Sequence, residues 1–241
     1  MAVTEMQRQY LDAMGIQAWS LRNAQPDSVE PGAIVEEPAE QEVVAPAVVE
    51  ERAGADDWLR LEQKVAQCMA CDLHQQRTQT VFGIGNRQAD WMIIGEAPGA
   101  DEDRQGEPFV GRAGQLLNAM LQAVSLSREQ VFIANILKCR PPNNRDPRAE
   151  EVQQCQGFLQ RQIALVQPRV ILAVGRVAAQ NLLDTDTPVG RLRSQCHHYG
   201  DDGIPLVVTY HPAYLLRSPQ EKRRAWQDLQ LARQVVATSS V

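Results

Sequence analysis

Four cysteines in this chain are spaced to hold a metal. Cys68 and Cys71 form a C-x2-C pair in QCMACDLH, while Cys139, in the loop sequence KCRPPNN, and Cys155 form a looser second pair. Four thiolates suit a [4Fe–4S] cluster or a zinc ion. The alternative for each cysteine is a small buried hydrophobe. With no export signal beside them, the cysteines do not suggest a disulfide framework. Cys196, next to His197 and His198, reads as a core thiol beside surface histidines.

A second concentration of chemistry follows the apolar run ending at Ile94. Gly95-Glu96-Ala97-Pro98-Gly99 holds two glycines and a proline, a tight turn that lets a ligand approach the backbone closely. Acids gather at Glu96, Asp101, Glu102 and Asp103, and Phe109 lies between Pro108 and Val110 in a loop before a helix. The turn lacks the lysine of a Walker A sequence, and its acids would repel phosphate. A nucleotide cradle is therefore a weak reading. Asn135 and His211 also follow apolar runs.

The elements that must position these groups alternate. Trp91–Gly95, Val131–Asn135, Val170–Val174 and Leu206–Tyr210 read as buried strands. Gly111–Val124, Pro147–Val166, Arg176–Leu183 and Pro219–Val236 read as helices. The order predicts an α/β fold of three α/β/α layers around a mostly parallel, four-stranded sheet. Ligands of such sheets bind beyond the carboxyl ends of the strands. That rule points to GEAPG, to Asn135 and to HPAYLLR after the fourth strand.

The 241 residues, 44% hydrophobic and 22% charged, suit one globular domain with extra material. The net charge of −6 is unevenly spread. Residues 1–54 hold ten acids and three bases, and the remainder holds 20 acids and 21 bases, which permits a local basic face. No run approaches the ~18–20 apolar residues of a membrane span. MAVTEMQRQY has no apolar signal core, so a cytoplasmic, nucleoid-associated protein is expected. Residues 1–22 read as a helical arm, 23–55 as a disordered, acidic, Pro-rich linker, and 56–241 as a globular domain expected to be monomeric.

GEAPG, PFVGRAGQLL, NILKCRPPNNRDP and HPAYLLR, in that order and with four matching cysteines, resemble the family 4 uracil-DNA glycosylases over Trp58 to Val236. The resemblance implies removal of uracil from DNA and a structural [4Fe–4S] cluster on Cys68, Cys71, Cys139 and Cys155. It implies that Glu96 handles the attacking water or the sugar cation, and that His211 donates to uracil O2 as the base leaves. Around the base, Gly95 and Ala97 belong to the motif turn. Glu102 fences the pocket near the C5 edge, Phe109 stacks on the extruded base, and Asn135 reads its edge. An amide offers one donor and one acceptor, which suits uracil O4 and N3–H and mispairs with cytosine. Leu215 and Leu216 resemble a wedge that enters the gap left by the flipped nucleotide. Arg217 matches a phosphate contact, as do Arg112 and Gln115 near a helix start.

The arm has its own resemblance. Thr4 and Gln7 suit a capping box, Met6, Tyr10, Leu11 and Met14 recur at helical spacing, and Gly15 is placed to end that helix. YLDAMGIQAWSLR resembles the N-terminal peptide of the psi subunit of the DNA polymerase III clamp loader. It implies docking of Tyr10, Leu11, Ile16, Trp19 and Leu21 on clamp-loader subunits. Two functions follow: a repair enzyme tethered to the replication machinery, or a psi-like accessory subunit that keeps a glycosylase fold for DNA or partner binding with little catalysis.

Overall fold

The computed structural model describes residues 55–238. The expectations for the arm and most of the linker lie outside them.

Six strands form one sheet: β1 (Ile84–Gly85), β2 (Trp91–Gly95), β3 (Phe132–Asn135), β4 (Val170–Val174), β5 (Cys196–Tyr199) and β6 (Ile204–Thr209). Their order is β1-β3-β2-β4-β6-β5. The central four run parallel, as the alternation of apolar runs and helices requires. Antiparallel β1 and β5 pair on the two edges, so the sheet is mixed and wider than the sequence suggests. β1 is only two residues long. β5 reads CHHY, with alternating exposure and no apolar run to announce it. Cys196 is exposed on that edge strand, which corrects its reading as a core thiol.

The helices are α1 (Ala55–Ala66), α2 (Ala100–Gln105), α3 (Gly111–Ala123), α4 (Ala149–Val166), α5 (Arg176–Leu182), α6 (Val189–Leu192), α7 (Pro212–Arg217) and α8 (Lys222–Thr238). Strand residues alternate between two cores, because successive side chains point to opposite faces. Met92, Ile94, Ile171 and Ala173 join the core beneath α1, α4 and α5. Trp91, Ile93, Val170 and Leu172 join the one beneath α3, α7 and α8. α1 belongs to the folded body: Trp58 lies 6.0 Å from Phe82 and 5.3 Å from Phe132, ring centre to ring centre. Among the described residues no helix is long and apolar enough to cross a membrane.

The chain passes from β2 outward to β3, then back across β2 to β4. That reversal opens a crevice beyond the carboxyl ends of β2 and β4. The register pairs Gly95 with Asn135, so the acidic turn and the amide emerge side by side.

Candidate active site

Four strand ends supply the site. Glu96 follows β2, Asn135 ends β3, Gly175 follows β4 and His211 caps α7 just after β6. Backbone hydrogen bonds fix the first two: Ile136 N–H donates to the Gly95 carbonyl at 3.0 Å and Leu137 N–H to that of Glu96 at 3.1 Å.

Gly95 has no room for a side chain. A Cβ there would stand 2.4 Å from Asn135 Oδ1 and 2.7 Å from the Phe109 ring. The absent methyl lets amide and ring converge on the turn. Gly175, at φ +96°, brings the start of α5 against His211, where a Cβ would lie 3.0 Å from the histidine Cβ. The Phe109 ring stacks near-parallel to the His211 imidazole, with centroids 5.5 Å apart and planes at 28°.

Asn135 is 2% exposed. Its Nδ2 has no hydrogen-bond partner. A buried donor left unpaired costs about 1–3 kcal/mol. Such a group points to a ligand that supplies the missing acceptor.

His211 is tuned to stay neutral. Burial, with help from the Arg217 charge, lowers its pKa to about 4. Nδ1 accepts from the Ala213 N–H at 3.1 Å. The ring proton of the neutral imidazole must therefore sit on Nε2, leaving that nitrogen a donor. Glu96 is shifted the other way. Burial and then the Asp146 carboxylate raise its pKa, against the pull of Arg176. Arg176 and Asp146 pair with each other at 2.5 Å.

Phe109 adopts φ 54°, a left-handed conformation uncommon for a non-glycine residue. Two charged side chains hold it there. Glu102 accepts from the Phe109 N–H at 2.6 Å through one oxygen and from the Gly99 N–H at 2.7 Å through the other. Arg128 reaches the Phe109 carbonyl at 3.4 Å and also the Pro108 carbonyl. Glu102 thus braces the aromatic wall from behind, with both oxygens occupied. Asp103 has a structural task as well: Thr78 N–H and Oγ donate to it at 3.0 and 2.6 Å.

Beyond this core lies a cleft of about 710 Å³, lined by Glu96, Ala97 and His211 and also by Asn144, Arg145, Arg176, Tyr210 and Tyr214. The sequence singled out none of those last five. Arg145 and Arg176 arrive from the loop before α4 and the start of α5, a convergence that only tertiary structure creates. Arg217 lines the same cleft. Arg112 and Gln115 are exposed on the first turn of α3. The leucine pair divides. Leu216 is exposed, but Leu215 is 1% exposed and packs in the core beneath α3. The wedge expectation is corrected for Leu215, because helical geometry turns it inward.

Cys68, Cys71, Cys139 and Cys155 line one pocket. Ala97 packs against its apolar lining. Cations and donors surround the sulfurs: Arg77 Nη1 lies 3.1 Å from Cys139 Sγ and the Lys138 N–H 3.3 Å from Cys155 Sγ. Burial raises the Cys139 pKa and pushes that of Cys155 up to about 11, while Arg77 and Lys138 pull against it. Among the described residues no three potential ligands gather about a single-ion position. The four thiols that line this pocket are a donor set that fits a thiolate-bound metal centre.

The profile of the family described as the uracil DNA glycosylase superfamily matches residues 82–230. A type-4 uracil-DNA glycosylase of Archaeoglobus fulgidus is 46% identical over 171 residues, 68% of this chain and 84% of the relative. One from Thermotoga maritima is 39% identical over 179 residues, 73% of this chain and 93% of the relative. A type-5 uracil-DNA glycosylase of Pyrobaculum aerophilum is 31% identical over 149 residues, 54% and 64% of the two chains.

Proposed function

This chain belongs to the type-4 uracil-DNA glycosylases, and from that premise we propose that the site described above extrudes uracil from DNA and hydrolyses its N-glycosidic bond. The observation that carries the reading is the unpartnered Asn135 Nδ2, buried beside the Phe109 ring and the neutral imidazole. Asn135 donates to uracil O4 and accepts from N3–H, while Phe109 covers the face of the base. As the bond between N1 and C1′ breaks, its electron pair leaves with the base and positive charge builds on the sugar. His211 donates through Nε2–H to uracil O2, where negative charge develops. The Glu96 carboxylate stabilises the sugar cation and orients the water whose oxygen bonds to C1′, taking the proton that this water loses. Arg217, Arg112 and Gln115 contact the DNA backbone. The alternative of an accessory subunit without catalysis is not favoured, because each chemical position of the motifs is filled.

Cys68, Cys71, Cys139 and Cys155 would hold a [4Fe–4S] cluster. Its contribution when bound would be structural: it would tie the segment before the sheet to the loop that follows Asn135 and to α4. The same reading puts the enzyme with the chromosome in the cytoplasm, and residues 1–22 would tether it to clamp-loader subunits. Peptide 1–25 is expected to capture those subunits and to lose them on Trp19→Ala. No binding at micromolar peptide would remove the tether.

The ionisation states supply the test of the site. Glu96 acts as a carboxylate, and its pKa lies above the ordinary 4.5. Uracil release should therefore be present at neutral pH and fall on acidification at a higher pH than an ordinary glutamate would dictate. His211, at about 4, adds no inflection near 6.5. Single-turnover release from a uracil oligonucleotide by brown preparations, absorbing near ~400 nm as thiolate-bound clusters do, is the measurement. Glu96→Gln should lower the rate about 10²-fold or more and abolish the acid limb. An unchanged limb in the variant would remove Glu96 from the chemistry.

A further inference from the structure

The cleft beside the base pocket is far larger than one pyrimidine needs, and its lining contains an aromatic pair that the hydrolysis leaves unused. Tyr210 and Tyr214 lie 5.1 Å apart, centroid to centroid, with planes tilted by 40°. Both line the same cleft as Glu96 and His211, together with Pro188 and Val189. Tyr214 is 37% exposed.

An exposed tyrosine is ordinarily free to move, but this one rests on a fixed support. The Arg193 guanidinium sits 5.3 Å from the centre of the Tyr210 ring. Arg193 is itself held by two hydrogen bonds to Asp228, at 3.0 and 2.9 Å. That pair is almost wholly buried, with side-chain exposures of 8% and 0%. Burying an ion pair seldom stabilises a fold more than apolar packing would. Its use here is geometric: it fixes the plane on which Tyr210, and then Tyr214, lie. The chain Asp228–Arg193–Tyr210–Tyr214 ends on a ring at the cleft, whose lining also includes the cations Arg176 and Arg217.

We propose that Tyr214 is a stacking platform for the nucleobase adjoining the extruded uracil on the same strand. The proposal rests on the glycosylase reading and adds a second nucleotide subsite to it. Three features support that occupant. The surface is continuous with the base pocket. Its ring is open to a flat apolar partner. Arg217, in the lining of the same cleft, supplies a cation for a neighbouring phosphate. Aromatic stacking of this kind accepts any base and is worth roughly a factor of 10 or more in binding.

The test uses the full chain with its cluster and single-stranded oligonucleotides, which have no opposite base. The 5′ or the 3′ neighbour of uracil is replaced by an abasic spacer. Wild type should show a KM about tenfold higher with one of the two spacers, with kcat within about twofold. Tyr214→Ala should show that higher KM on the intact oligonucleotide, with no further loss on the spacer, and Tyr214→Trp should restore it. A 2-aminopurine at the sensitive position should be quenched by wild type and not by Tyr214→Ala. Indifference of wild type to both spacers would overturn the proposal. So would a spacer penalty that persists in Tyr214→Ala. Either result leaves uracil release by wild type standing, whereas absence of release would overturn the glycosylase reading itself.

Discussion

His211→Ala lowers single-turnover uracil release by about 10²–10³-fold and leaves KM nearly unchanged. The size follows from where the imidazole acts. Uracil leaves as an anion, and a donor aimed at its O2 is far stronger in the transition state than toward the neutral base. Removing such a donor therefore lowers kcat more than binding. Two features of this chain make His211 a donor without protonating it. Burial holds its pKa near 4, and the Ala213 N–H occupies Nδ1. An imidazolium would be a stronger donor, but it would titrate away across neutral pH. The neutral tautomer keeps its proton on Nε2 throughout. Rates measured from pH 6.5 to 7.5 should be flat in wild type. The variant also loses the partner of the Phe109 ring, so its thermal stability and cluster absorbance must be compared with wild type. A loss below tenfold in a folded, loaded variant would remove His211 from leaving-group stabilisation.

Asn135→Asp is expected to be more damaging, by about 10⁴-fold in kcat/KM, the discrimination a hydrogen-bonding site exerts when a partner is missing. The change is nearly isosteric, so cavity formation contributes little. It replaces the one unpartnered buried donor of the amide with a second acceptor facing uracil O4. If ionised, the new carboxylate is also buried, a cost that pushes it toward protonation, although the Lys138 ammonium on the residue-135 carbonyl offsets part of it. A protonated aspartate can present a donor again. Some uracil release should therefore return on acidification, opposite in sign to the wild-type acid limb set by Glu96. Full activity in Asn135→Asp at neutral pH would show that the uracil edge is read elsewhere.

Much of this site was legible in the sequence because the fold places chemistry at strand ends. Ile93 and Ile94 announce a buried strand, and a turn with Gly95 and Glu96 must then open at its carboxyl end. The same logic found Asn135 and His211. What sequence patterns missed has physical causes. Ile84–Gly85 is too short to carry a period. Cys196–Tyr199 is a half-exposed edge strand without an apolar run. In α1, Trp58, Leu61 and Val65 do recur at helical spacing, but they adjoin a segment rich in Pro, Glu, Ala and Val. Leu215 and Leu216 are neighbours of one type, and only the α7 backbone decides which turns inward. The bracing of Phe109 by Arg128 joins residues 19 positions apart. Arg193 and Asp228 meet across 35. No spacing rule brings such pairs together. Glu102 illustrates a different difficulty: its place in the motif was visible, but its hydrogen bonds to Gly99 and Phe109 were not.

The most direct test of the account is base release by the full, cluster-loaded protein from otherwise identical single-stranded oligonucleotides carrying one uracil, thymine or cytosine. Free base and the abasic product are quantified together. Stoichiometric uracil and abasic sites, with release from thymine and cytosine lower by orders of magnitude, are the predicted result. Folded, loaded protein that releases no uracil, or releases cytosine equally well, would contradict it.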